Sequence, residues 1–142
     1  MSCELCLAAG GALLWRGSDH RVVMVDEAAY PGFCRVIWNV HVPEMTDLPA
    51  ASRDRLMSSV YAVEKVMREL LQPDKINLAS LGNVVPHVHW HVIPRFVDDP
   101  HFPAPIWAAA QRKPVARRLD TGRFALAVAE RLQALHGESL PL

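Results

Sequence analysis

The sequence predicts an α+β fold in which an antiparallel sheet of about five strands packs with one long helix and a C-terminal helix. Short apolar runs separated by turn residues lie before residue 43 and again after residue 73. Between them, apolar residues recur every three or four positions, as on one face of a helix. A second helical pattern lies near the C-terminus. We expect one domain that spans residues 1–142.

Three strands are predicted in the N-terminal part. The apolar run Ala12–Trp15 ends at Gly17-Ser18-Asp19, and the β-branched residues of His20–Asp26 form the next strand. The turn Tyr30-Pro31-Gly32 separates it from a third strand, Phe33–Val42. Because these connections are short, we expect neighbouring strands to pair antiparallel.

The long helix is predicted from Pro49 to Leu71, since proline suits a first helical turn and Pro73 stops the helix. Its apolar stripe consists of Leu56, Val60, Val63, Met67 and Leu70.

Two further strands are predicted at Asp74–Leu81 and Val84–Phe96, separated by the turn Gly82-Asn83. Residues 98–114 contain four prolines and form an irregular loop. The apolar residues between Phe124 and Leu135 then predict a C-terminal helix that ends near Gly137.

The charge balance limits the partners of the chain. Fifteen basic and fifteen acidic residues give a net charge of zero with neutral histidines. Since nucleic acids and anionic membrane surfaces attract a surplus of basic residues, we expect neither as a partner. No apolar run approaches the roughly 20 residues that cross a bilayer. The first residues, Met1–Glu4, do not begin a secretory signal. We therefore expect a cytoplasmic protein.

Three histidines, His87, His89 and His91, alternate with apolar residues. Flanking prolines disfavour a helix there. On a strand, the three imidazoles share one face at about 6.6 Å spacing, while Val88, Trp90 and Val92 pack the other face. This spacing is short enough to surround one small anionic group.

Three uses of these imidazoles are open. The first is that they form the polar outer face of a half-buried strand. The second is that they chelate a metal, and the third is that they catalyse a reaction on a phosphate. Neutral histidine attacks without a dedicated base, and neighbouring imidazoles donate hydrogen bonds to phosphoryl oxygens. We favour the third use.

The run from His87 to Ile93 resembles the His-φ-His-φ-His-φ-φ signature of the histidine triad (HIT) family, where φ is apolar. The hairpin from Asp26 through Tyr30-Pro31-Gly32 to Trp38 resembles the ribose-binding hairpin of that family, and Leu81-Gly82-Asn83 resembles its Gly-Gln segment. The resemblance covers residues 3 to 110. It is greatest to a bacterial subgroup described as diadenosine tetraphosphate hydrolase-like.

The resemblance implies a nucleotide hydrolase or transferase with a HIT-like fold. His89 would attack the α-phosphorus of a nucleoside phosphate derivative and form a nucleotidyl-histidine intermediate. His91 would contact phosphate oxygens and assist the leaving group, and His87 would orient His89 or bind a metal. Asp26 would bind the ribose hydroxyls, and Asn83 would bind phosphate.

The implied substrate is a purine nucleotide, either a dinucleoside polyphosphate or a nucleoside phosphoramidate. No catalytic cofactor is implied. Relatives of this kind form homodimers, for which the Pro49–Leu71 helix offers an interface.

Two positions depart from the family pattern. Phe33 stands where many relatives have a fourth histidine, and Val84 stands where serine or threonine is common. Both changes remove possible contacts to phosphate or leaving group. The phenylalanine at position 33 keeps open an alternative function, a nucleotide-binding module without catalysis.

A structural zinc site is also implied. The motif Cys3-x-x-Cys6 supplies half of a tetrahedral site. In a zinc-containing subset of the family, two such cysteines bind the metal with a histidine at the position of His41 and with the first triad histidine, here His87. The alternative is a pair of reduced cysteines on a mobile terminus.

Overall fold

A computed structural model describes residues 2–142 and has an α+β fold, which confirms the predicted class. Five strands form one antiparallel sheet in the order β1-β2-β3-β5-β4. Along the chain, the elements are α1 (Glu4–Leu7), β1 (Ala12–Arg16), β2 (His20–Met24), β3 (Cys34–Trp38), a 3-10 turn (Met45–Asp47), α2 (Ala50–Leu71), β4 (Lys75–Ala79), β5 (His89–Arg95) and α3 (Thr121–His136).

The register between β3 and β5 gives the sheet two chemically different faces. Val36 pairs with Trp90 on one face, whereas Arg35 pairs with His91 on the other. Because side chains alternate along a strand, His89 lies on the same face as Arg35 and His91. Helices α2 and α3 contact the sheet. Val36 of β3 and Val92 of β5 pack in one core with apolar residues of both helices. The histidine face is therefore the face opposite the helices.

The main core lies between the sheet and helices α2 and α3. The predicted stripe of α2 enters it, with Leu70 half-buried at its margin. Helix α3 ends at His136 and is followed by Gly137 at φ +67°, as predicted. No helix within residues 2–142 has the length and apolarity that a bilayer span needs. The buried core residues of the sheet and the two helices include Val22, Val36, Val92, Leu56, Val60, Val63, Met67, Phe124, Val128 and Leu132.

The strands are shorter than predicted, and one difference affects the site. Strand β5 begins at His89 instead of Val84, so His87 precedes the strand. The reason lies in the backbone: the His87 N–H donates to the Val85 carbonyl at 2.8 Å, and this local turn takes it out of the ladder. Strand β3 ends at Trp38 instead of Val42. Helix α1 was not predicted.

A buried polar network joins the sheet to both helices. His20 and Ser59 are fully buried. The His20 Nδ1–H donates to the Asp19 carboxylate at 2.6 Å, and its Nε2 lies 2.7 Å from Ser59 Oγ. Ser59 Oγ also lies 2.6 Å from His136 Nε2. If His136 donates to Ser59 and Ser59 donates to His20, every polar atom in this chain of contacts has a partner.

We expect Ser59→Ala to lower the free energy of unfolding by about 1–3 kcal/mol, because it leaves one nitrogen of buried His20 and one of half-buried His136 without a partner. The matched control is Ser58→Ala, since the Ser58 hydroxyl donates only to the Arg55 carbonyl of its own helix. That control should change the same quantity by less than about 0.5 kcal/mol. Urea unfolding measures both, and equal losses would contradict the role of the network.

Candidate active site

A cavity of about 350 Å³ opens on the histidine face of the sheet. Its walls come from the N-terminal segment, from β3 and β5, and from the turn that precedes β5. The lining residues are Glu4, Leu5, Arg35, Leu81, Gly82, Asn83, Val84, Val85, His89, His91 and Trp107.

His89 is held in one tautomer by the backbone. Its Nδ1 lies 2.6 Å from the His87 carbonyl oxygen. Because a carbonyl oxygen only accepts, Nδ1 carries the proton and the lone pair of the neutral ring is on Nε2. The side chain is buried except for 8% of its surface, yet it lines the cavity. His89 therefore offers a nucleophilic nitrogen with a fixed orientation.

His91 lies beside His89, with ring centroids 4.9 Å apart and the rings nearly perpendicular. Burial lowers its pKa to about 4, with smaller contributions from His89 and Arg35. The ring is thus neutral at pH 7. Its Nδ1 is buried and has no hydrogen-bond partner among the described residues. The rings of Phe33 and Trp107 pack against it at interplanar angles of 68° and 65°.

His87 faces a different set of partners. Its Nε2 donates to the Trp38 carbonyl at 2.5 Å, which leaves the Nδ1 lone pair of the neutral ring free. That Nδ1 lies 3.5 Å from the sulfur of Cys3 and from that of Cys6. His87 does not line the cavity. The expected pocket of three imidazoles is therefore formed by two, because His87 lies in the turn before β5.

Four side chains form a Cys/His cluster: Cys3, Cys6, His41 and His87. Their ligand atoms all lie within 4.8 Å of one another. His41 Nδ1 is 3.5 Å from Cys6 Sγ and 3.3 Å from His87 Nδ1. These are the four residues that the resemblance implies, and they have the donors and the closeness that a metal ion needs.

Arg21 holds the N-terminal segment against the sheet, which the sequence did not predict. Its guanidinium donates to the carbonyls of Leu5 and Ala9 at 2.7 and 2.9 Å. It also donates to the Asn39 side chain at 2.9 Å. The only sign of this role in the sequence is that an arginine lies among the β-branched residues of a strand. The segment that carries both cysteines is therefore anchored by protein contacts.

Some of the other predicted site residues line the cavity and others do not. Asn83 lines the cavity, and so does Val84, whose side chain is 92% exposed. Asp26 is exposed just after β2 and is not among the lining residues. Phe33 is buried. Arg35 lines the cavity but was not predicted as a site residue, since an arginine on a strand is usually a solvent-facing residue.

Comparison with known proteins fits this geometry. The family model described as the HIT domain matches residues 15–98, which is more than half of the chain. The chain belongs to the HIT family. The matched region contains the end of β1, all of β2 to β5 and all three histidines of the motif.

Two solved HIT structures resemble this HIT domain over most of its length. A histidine triad protein of Bradyrhizobium japonicum is 26% identical, with a TM-score of 0.73, and the match covers 89% of this chain and 93% of that one. A histidine triad protein of Marinobacter aquaeolei is 27% identical, also with a TM-score of 0.73, over 95% and 97% of the two chains.

One curated relative is the asymmetrical bis(5'-nucleosyl)-tetraphosphatase of Schizosaccharomyces pombe. It is 34% identical over 70 residues, which cover 46% of this chain and 38% of the relative. The HIT domain thus matches well under half of the length of that enzyme.

We expect His91 to remain neutral between pH 8 and pH 5.5, because its pKa is lowered to about 4 by burial. Long-range ¹H–¹⁵N NMR spectra of the ring nitrogens measure this, with the signals assigned by their loss in His91→Gln. A protonation midpoint near the ordinary histidine value of about 6.5 would contradict the description of the site.

Proposed function

We propose that this HIT protein is a nucleotide hydrolase or transferase that cleaves at the α-phosphorus of a nucleoside phosphate derivative. Dinucleoside polyphosphates and nucleoside phosphoramidates are the substrate classes. The observation that carries the proposal is the hydrogen bond from His89 Nδ1 to the His87 carbonyl. It leaves the Nε2 lone pair available at a cavity of about 350 Å³.

In the proposed reaction, His89 Nε2 attacks the α-phosphorus and forms a P–N bond as the bond to the leaving group breaks. Water then cleaves the nucleotidyl-histidine and regenerates the free imidazole. His91 and Asn83 line the same cavity and supply hydrogen bonds to phosphoryl oxygens. Asp26 is exposed, and its role in binding the ribose stays a prediction from the resemblance.

A specific observation favours the alternative function, a nucleotide-binding module without catalysis. Phe33 and Val84 are apolar, and neither can donate a hydrogen bond to a phosphate. The Phe33 ring packs against His91 with a centroid distance of 5.6 Å. A site with fewer donors stabilises the transition state less, while binding of the ground state can persist.

His89→Ala separates the two functions. We expect it to lower the rate of hydrolysis of diadenosine tetraphosphate by at least about 10³-fold, since removal of a nucleophile abolishes the covalent route. His101→Ala is the control, because His101 contacts Tyr30 and does not line the cavity. Nucleotide binding by the wild-type protein without turnover would favour the binding module. An active His89→Ala variant would contradict the proposed nucleophile.

We also propose that the Cys/His cluster binds a structural zinc ion. A tetrahedral Zn²⁺ with bonds of about 2.0 Å to nitrogen and about 2.3 Å to sulfur places nitrogens about 3.3 Å apart, and nitrogen and sulfur about 3.5 Å apart. The observed separations of 3.3 and 3.5 Å agree with both values. Two thiolates and two imidazoles would fill the shell, so the ion would join the N-terminal segment to the sheet and not take part in the reaction.

Protein purified without added zinc should contain about one zinc per chain by elemental mass spectrometry. We expect Cys6→Ser to lose the metal, whereas Cys34→Ala keeps it, because Cys34 is buried in the core away from the cluster. A chelator should lower the unfolding temperature of the wild-type protein. Metal-free protein whose unfolding temperature does not respond to a chelator would contradict the zinc site.

Three further expectations accompany this function. A purine base, a homodimer that uses helix α2 and a cytoplasmic location all stay predictions. The exposed side chain of Tyr61 lies on α2 and is available to such an interface.

A further inference from the structure

We propose that Arg35 binds the phosphate that follows the attacked one, so that the site selects nucleotides whose leaving group is itself an anionic phosphate. This inference rests on the proposed function and names the substrate class within it.

The position of Arg35 follows from the register of the sheet. Its Cα pairs with that of His91 across β3 and β5, and both side chains line the cavity. Its Nη1 donates to the Gly10 carbonyl at 3.0 Å, which anchors the guanidinium at the wall. The rest of the guanidinium fork has no hydrogen-bond partner in the protein, since this is the one hydrogen bond that the Arg35 side chain makes within residues 2–142.

Two buried polar atoms, one on each residue of the Arg35–His91 pair, lack a hydrogen-bond partner. Within the described residues, Arg35 Nε and His91 Nδ1 are the only buried side-chain nitrogens or oxygens without a hydrogen bond. Buried polar groups in folded proteins are almost always paired, so the Arg35–His91 pair is a part of the cavity wall with unmet hydrogen-bonding capacity. The outer nitrogen of the guanidinium, Nη2, makes no hydrogen bond within residues 2–142, and a phosphate in the cavity supplies acceptor oxygens to it.

The charge around Arg35 also favours an anion. No carboxylate forms an ion pair with Arg35 in the part of the chain that the structure describes. Burial lowers the pKa of Arg35, and the charge of Glu4, the acidic residue of the cavity wall, opposes this shift only in part. A half-buried guanidinium without a counter-ion is stabilised when a phosphate binds to it.

The chemistry of the two substrate classes differs at the leaving group. In both, a bond forms between His89 Nε2 and phosphorus as the bond to the leaving atom breaks, and the electron pair goes to that atom. A departing phosphate keeps the pair as an oxyanion that Arg35 stabilises. A departing amine instead needs a proton, and neutral His91 is a weak acid for that step. The guanidinium therefore assists phosphate departure and not amine departure.

The test compares two substrates in wild-type, Arg35→Lys and Arg35→Met proteins. For Arg35→Met, we expect kcat/KM for diadenosine tetraphosphate to fall about 10- to 100-fold, as for a lost hydrogen bond to a charged group. The value for adenosine 5'-phosphoramidate should change less than about 3-fold, and Arg35→Lys should be intermediate because it keeps the charge without the fork. Equal losses for both substrates would show a merely structural role, and no loss for either would also overturn the proposal.

A binding experiment tests the role of Arg35 independently of catalysis. In a His89→Ala background, we expect Arg35→Met to weaken binding of ATP about 10- to 100-fold and binding of AMP less than about 3-fold, measured by calorimetry. If the wild-type protein hydrolyses neither substrate, the proposed function fails, yet this experiment still confirms or overturns the role of Arg35. Arg35→Gln serves in both experiments if Arg35→Met does not fold.

Discussion

The hydrogen bond between His89 Nδ1 and the His87 carbonyl is the constraint on which the site depends. It fixes the tautomer of His89, and it ties this proposed nucleophile to the backbone of His87, the one histidine of the triad that belongs to the Cys/His cluster. His87 in turn donates from Nε2 to the Trp38 carbonyl. Two backbone carbonyls thus determine which nitrogen of each imidazole bears a lone pair, and they direct one lone pair to the cavity and the other to the cluster.

The N-terminal segment connects the cluster to the cavity. Glu4 and Leu5 lie between the two cysteines and form part of the cavity wall. Arginines from two strands hold this segment in place. Arg21 of β2 donates to the Leu5 carbonyl in α1, and Arg35 of β3 donates to the Gly10 carbonyl. A metal in the cluster would therefore stabilise a wall of the active site without contact to substrate, which is the usual role of a closed coordination shell.

Much of the fold could be predicted because its patterns are local. The period of α2, the turn at Gly137 and the alternation of Trp90 and Val92 with His89 and His91 are each visible within a short window of sequence. The departure of His87 from the strand was not visible, since it depends on one backbone hydrogen bond to Val85.

Features that depend on pairing between distant residues could not be derived from local sequence patterns. The significance of Arg35 appears only when the β3–β5 register places it opposite His91. The contact of Ser59 with His20 and His136 joins residues 39 and 77 positions apart, which no periodicity encodes. The Cys/His cluster was found from a family resemblance and not from spacing, because its members lie as far apart as Cys3 and His87.

The most direct test of the account is the mass of the protein during turnover of diadenosine tetraphosphate, with reactions quenched in base because phosphorus–nitrogen bonds to histidine are labile in acid. We expect a species heavier by one nucleoside monophosphate unit, with the modification on the peptide that contains His89 and at Nε2 of that ring. Turnover with a modification elsewhere, or turnover that accumulates no covalent species and proceeds with inversion at phosphorus, would contradict it.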